Sequence, residues 1–129
     1  MARSSRSFKL ATQASIDEAK AAYEDIEFEF IDPDEPLEKG RKTPTPRICV
    51  AHYPGDGEMF AMAASVGLSD DQLRNPAGSL FSFLRATFDS ADYNFIFKQV
   101  KLSRLDPRED LMEMIFELMT TWSGFPTKQ

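Results

Sequence analysis

Cys49 and His52 are the sole thiol and the sole imidazole of a 129-residue chain, and their Cys-x-x-His spacing could begin a zinc site or pair a nucleophile with a base. Tetrahedral zinc needs four ligands, and no second Cys or His pair follows. On a strand, positions i and i+3 also point to opposite faces, which separates the thiol from the imidazole. Glu27 and Glu29 alternate with apolar residues and so share a watery face, where nothing drives two carboxyl pKa values apart as acid–base catalysis requires. Gly55-Asp56-Gly57 lacks the Gly-Lys-Ser/Thr that would make it a phosphate loop. The expectation is a protein without catalytic residues, metal ligands or a cofactor, acting through contacts.

Charge and composition narrow the contacts. The formal net charge of -6 argues against nucleic acid, whose binding rests on Lys and Arg displacing counterions. An acidic surface suits solubility or a basic protein partner. No apolar run approaches the roughly 20 residues of a membrane span, and one cysteine excludes an intramolecular disulfide, so the expected compartment is a reducing cytoplasm. With 42% apolar residues, 11 of them Phe, the chain has material for one modest core, enough for a single domain of this size.

The elements that position these residues follow from hydrophobic period. Residues 1–14 read as a disordered basic tail. Ser15-Ile16-Asp17-Glu18 has the form of a capping box, opening a short peripheral helix with Ile16, Ala19 and Tyr23 on one side. Ile26-Glu27-Phe28-Glu29-Phe30 alternates strictly and predicts a half-buried strand. A proline-rich stretch from Asp32 to Pro46 predicts a long loop or mobile arm. Arg47 to Tyr53 predicts a second strand, with Ile48 and Val50 sharing a side, pairing with the first as a hairpin. From Glu58 the period changes to near 3.6. Asp56 is placed to cap a helix with Met59, Phe60, Met62, Ala63 and Val66 inward, and Gly67 to end it. Asn75-Pro76 opens a second helix with Leu80, Phe81, Leu84 and Phe88 on its apolar face, and a third carries Tyr93, Ile96, Phe97 and Val100. The fold class expected is α+β: a small antiparallel β-hairpin followed by a body of about four helices, spanning 15–122 as one domain.

The last helix is the best marked. Asp106 is an N-cap candidate, Pro107 fits the first helical position, and Glu109 is placed to close a capping box. Leu111, Met114, Ile115, Leu118 and Trp122 recur at helical spacing, and Gly124 and Pro126 forbid continuation, leaving 123–129 as a tail. This acidic, Met-rich helix, running into Trp122-Ser123-Gly124-Phe125-Pro126-Thr127, resembles the C-terminus of the tail assembly chaperones of long-tailed bacteriophages, particularly those of actinobacteria. The order of strand pair, helical body and tryptophan-terminated helix is similar too. The stretch before Ile26 and the long Asp32–Pro46 segment depart from the family pattern.

The resemblance implies a function. Such chaperones bind the tape measure protein, a very long, helix-rich and aggregation-prone chain, and keep it soluble while the tail tube polymerises around it. They work in the host cytoplasm and are absent from the mature virion. They are commonly made in a short form and a frameshifted longer form, and this chain looks like the short one. The partners implied are the tape measure protein, the frameshifted longer form and the major tail tube protein, with homo-oligomerisation also allowed for, and with no nucleic acid and no membrane. The expected partner-binding residues are Met112, Ile115, Met119, Trp122 and Phe125. Methionine is soft and unbranched, suited to surfaces that accept varied helix faces. The competing reading is that a Met and Phe stripe is ordinary core, and Trp122 fits a core cap as well as an interface anchor. A functional runner-up is a virion structural protein, a tail-completion or head–tail connector component.

Overall fold

A period of two at Ile26–Phe30 and a period near 3.6 after Asp56 become a two-stranded antiparallel sheet and a set of helices. The computed structural model describes residues 7–66 and 76–123. In chain order these hold α1 (Gln13–Ala21), β1 (Ile26–Phe30), β2 (Arg47–Ala51), α2 (Asp56–Val66), α3 (Pro76–Thr87), α4 (Ser90–Lys101) and α5 (Asp110–Trp122). The architecture is α+β, a hairpin followed by four helices, with α1 ahead of it. No helix among the described residues is long and apolar enough to cross a membrane. Gly67, Asn75, Gly124, Phe125 and Pro126, singled out in the sequence, lie outside the described residues.

Register decides which face of the hairpin is core. Ile26 lies opposite Ala51, Phe28 opposite Cys49 and Phe30 opposite Arg47. Because opposed residues share a side, Ile26, Phe28, Cys49 and Ala51 face the helices together. Ile48 and Val50 do share a side, but it is the outer one beside Glu27 and Glu29. The free edge of β2 is not left open. His52 N–H donates to the Thr87 carbonyl at 2.8 Å, Val50 N–H to Asp92 Oδ2 at 3.1 Å, and Phe88 forms an isolated antiparallel bridge with Ala51. The α3–α4 junction therefore does the work of a third strand and covers the edge.

The core is one apolar cluster. Phe83 and Leu84 of α3, Ile96 of α4, and Leu111, Ile115, Leu118 and Trp122 of α5 are all essentially inaccessible, and Cys49 and Ala51 of β2 close it from the sheet side. Trp122 is 1% exposed. Its indole Nε1 donates to the Glu24 carbonyl at 2.9 Å, and its ring meets Tyr53 edge-on at 5.5 Å. Tyr53 in turn stacks on Tyr23 at 3.8 Å. The end of α5 is thereby fastened to the α1–β1 turn and to the entry of α2.

Several local expectations shift. α1 begins at Gln13, inside the stretch expected as tail, because Thr12 rather than Ser15 is its cap: Thr12 Oγ1 accepts the Ser15 N–H at 3.1 Å. At α2 the cap is Gly55, held at φ +111°, whose carbonyl accepts the Met59 N–H at 3.1 Å, while the Asp56 carboxylate is taken by the Tyr53 hydroxyl. Neither Asp106 nor Pro107 takes its expected place in α5, which starts at Asp110 with Glu109 as its N-cap and no side-chain cap bond; Asp106 instead closes the preceding turn, accepting the Arg108 N–H at 2.8 Å, and its own N–H donates to Asp110, not Glu109, at 2.9 Å. The proline-rich loop stays irregular yet is tied down. Arg104 grips Asp32 with two guanidinium nitrogens and approaches Asp34 at 3.6 Å, and Glu35 accepts the Thr45 N–H at 3.1 Å.

Candidate protein-binding face

At about 100° per residue, the thirteen positions of α5 separate into two apolar stripes. Leu111, Met114, Ile115, Leu118 and Trp122 form the first and are buried. Met112, Phe116 and Met119 fall within a second arc of about 60°, displaced by roughly a quarter turn or more from the centre of the first. This second stripe is only partly covered: Met112 and Met119 are half-buried with one side packed against the core, and Phe116 is 50% exposed.

α2 supplies the opposing wall. Its sequence from Met59 to Ala64 is apolar at every position, so periodicity cannot say which side faces in. The structure buries Met62 and turns Phe60 outward, 77% exposed, against the expectation that Phe60 points into the core. Met59 and Ala63 of α2, Phe60 beside them, and Met119 and Trp122 of α5 line an open cleft of about 500 Å³, whose wall also includes Tyr23, Tyr53 and Asp56. Burial, reinforced by the hydrogen bond to Asp56, pushes the Tyr53 phenol far above its usual range. Tyr53 therefore remains a neutral donor to Asp56.

The expected partner-binding residues are thus divided. Met112 and Met119 lie on the partly exposed stripe, and Met119 lines the cleft. Ile115 and Trp122 are core, so as partner contacts they are corrected: Ile115 has no accessible surface, and Trp122 shows the cleft only an edge while its indole is spent on Glu24. Phe125 lies outside the described residues. Phe60 and Phe116 are the additions. The signal for Phe116 was present in the i, i+4, i+7 spacing with Met112 and Met119; for Phe60 there was none.

Cys49 and His52 do not converge. Cys49 is fully buried under the helices, and burial pushes its thiol pKa up, the opposite of an activated nucleophile. His52 turns to the surface, with Nδ1 3.0 Å from Asp25 and Nε2 3.6 Å from Asp89. The two carboxylates sit on opposite ring nitrogens, so one ion cannot take the imidazole and both acids together. Glu27 and Glu29 are solvated, as expected from the alternation. No known family, curated protein or solved structure matches the chain.

Proposed function

We propose that this protein is a tail assembly chaperone of a long-tailed phage or prophage, holding the tape measure protein soluble in the host cytoplasm and leaving before the virion matures. The observation that carries the reading is α5. It uses one apolar stripe to build the core and leaves Phe116 exposed and Met112 and Met119 partly exposed beside it, directly ahead of the tryptophan block that resembles this family. A long helical client presents apolar faces in many registers, and methionines with accessible Phe edges adapt to such faces. The acidic surface keeps the loaded chaperone soluble.

Co-expression with the very long chain encoded downstream is the test. The tape measure protein should move from the insoluble to the soluble fraction and co-purify with this chain. A slippery site near the end of the reading frame would add the frameshifted longer form to the complex. If the protein neither solubilises nor binds that chain, and is found at fixed copy number in finished particles, the reading is wrong and a connector or tail-completion role replaces it.

A further inference from the structure

The two edges of the hairpin differ. The α3–α4 junction covers β2, whereas β1 has, among the described residues, no hydrogen-bonded neighbour on its other side. The N–H and C=O groups of that side form a template for one more strand. The core face of the sheet carries the same asymmetry. Cys49 and Ala51 of β2 have no accessible surface, but Ile26, Phe28 and Phe30 of β1 are only half-buried. The apolar layer is thus one strand short, on the β1 side.

The chain holds a segment suited to that place. Residues 7–11, Ser7-Phe8-Lys9-Leu10-Ala11, precede α1, have no regular structure and make no hydrogen bond among the described residues. Phe8 and Leu10 are 83% and 85% exposed, the two most exposed large apolar side chains described. They alternate with Lys9, the pattern of a strand with one face in a core and one in water. Arg3, Arg6 and Lys9 precede Asp17, the first acid of the sequence, so the arm is opposite in charge to the Glu27 and Glu29 side of β1.

We infer that the 7–11 arm of a second copy adds a strand to the free edge of β1, exchanged reciprocally about a two-fold axis. Main-chain hydrogen bonds give the pairing, and side-chain alternation gives the register. With Phe8 and Leu10 on the core side beside Ile26, Phe28 and Phe30, Lys9 falls across from Glu27 or Glu29. A slip by one residue would set Phe8 and Leu10 against those carboxylates and Lys9 against the core. The arm of the same chain is not the occupant, because its apolar side chains stand in water. Reciprocal exchange closes on itself and leaves neither β1 edge open. This dimer goes beyond the chaperone reading and does not depend on it, and its strands include none of the residues lining the α2–α5 cleft.

Sedimentation equilibrium of the full-length protein at roughly 100 μM should show a dimer. Phe8→Ser/Leu10→Ser should weaken it roughly a hundredfold or more, as expected when two large apolar side chains per arm no longer gain from burial. Both positions are exposed within one chain, so the variant should keep its helical circular dichroism. Glu27→Lys/Glu29→Lys, also at exposed positions, should weaken the dimer roughly three- to tenfold, and adding Lys9→Glu should recover most of that loss. Hydrogen exchange should show residues 26–30 better protected in the wild-type dimer than in the Phe8→Ser/Leu10→Ser monomer. A wild-type monomer at that concentration, a dimer that Phe8→Ser/Leu10→Ser leaves intact, or a charge reversal that Lys9→Glu does not rescue would overturn the inference. So would a monomeric wild type whose 26–30 amides lose protection in the arm variant, since the arm would then lie on the edge of its own chain.

Discussion

α5 and α2 are both rich in apolar residues, yet they use them in opposite ways. α5 spaces Leu111, Met114, Ile115, Leu118 and Trp122 so that one narrow face is fully buried, while Glu113 and Glu117 are fully out. α2 distributes Met and Ala all round and commits only Met62 to the interior among its described side chains, leaving a Phe in water. Apolar content alone therefore does not locate a core; separation of apolar from charged positions does. A helix with strong separation builds structural wall along its buried face, and α5 keeps Met112, Phe116 and Met119 to one side of it. A helix with apolar residues on every side keeps some for another molecule.

The sharpest way to break that contrast is at Trp122. Trp122→Ala removes the largest buried side chain together with its hydrogen bond to the Glu24 carbonyl, so it should cost roughly 3 to 5 kcal/mol and unfold much of the population at 37 °C. Thermal melts followed by circular dichroism report it. A variant that melts like wild type but loses its client would show that Trp122 belongs to the binding face and that α5 is not divided as described. Leu84→Ala, on the inner face of α3, should cost about 2 to 5 kcal/mol for the same reason, with Leu84 fully buried. A loss below about 1 kcal/mol there would place the α3 stripe at the surface.

On the outer side the expectation reverses. Phe116→Ser should change stability by no more than about 0.5 kcal/mol in chemical denaturation, because half of the ring is already in water. Its effect should appear in client solubilisation instead. A large stability loss would mean that Phe116 covers core and that the second stripe of α5 is not free.

What the sequence disclosed tracks how much each element depends on its neighbours. β1, the hairpin and the buried stripe of α5 were legible because their periods, two and near 3.6, are written in contrasts between charged and apolar residues. The orientation of β2 was not, since Arg47-Ile48-Cys49-Val50-Ala51 is apolar on both sides and only the register against Phe28 makes Cys49 the inner residue. Phe83, 1% exposed beside Leu84, is not singled out by the spacing, because Phe81, Leu84 and Phe88 already fill an apolar face at helical intervals. The cap of α1 went to Thr12 although Ser15-Ile16-Asp17-Glu18 has the better motif, and local capping energies of about 1 kcal/mol are small enough for chain geometry to override. The binding face was half legible: Met112 and Met119 follow from spacing, whereas the outward turn of Phe60 depends on how α2 docks.

The smallest expected effect concerns the proline-rich loop, which is neither wall nor binding face. The Arg104 guanidinium, helped by the Asp34 amide, holds the Asp32 carboxyl below its ordinary value of 3.8. A depressed folded-state pKa means the tether contributes above the unfolded value and is lost as pH falls through the lower folded one. The loop is thus held at neutral pH and released only in acid below 3.8. Arg104→Gln should raise the Asp32 midpoint in an NMR titration, short of the full return to 3.8 because the Asp34 N–H still donates to it at 2.9 Å. Both partners are solvated, so the melting temperature at pH 7 should not move measurably. An unchanged Asp32 midpoint would show that the Arg104 fork does not form in solution and that the loop is an arm free of the helical body.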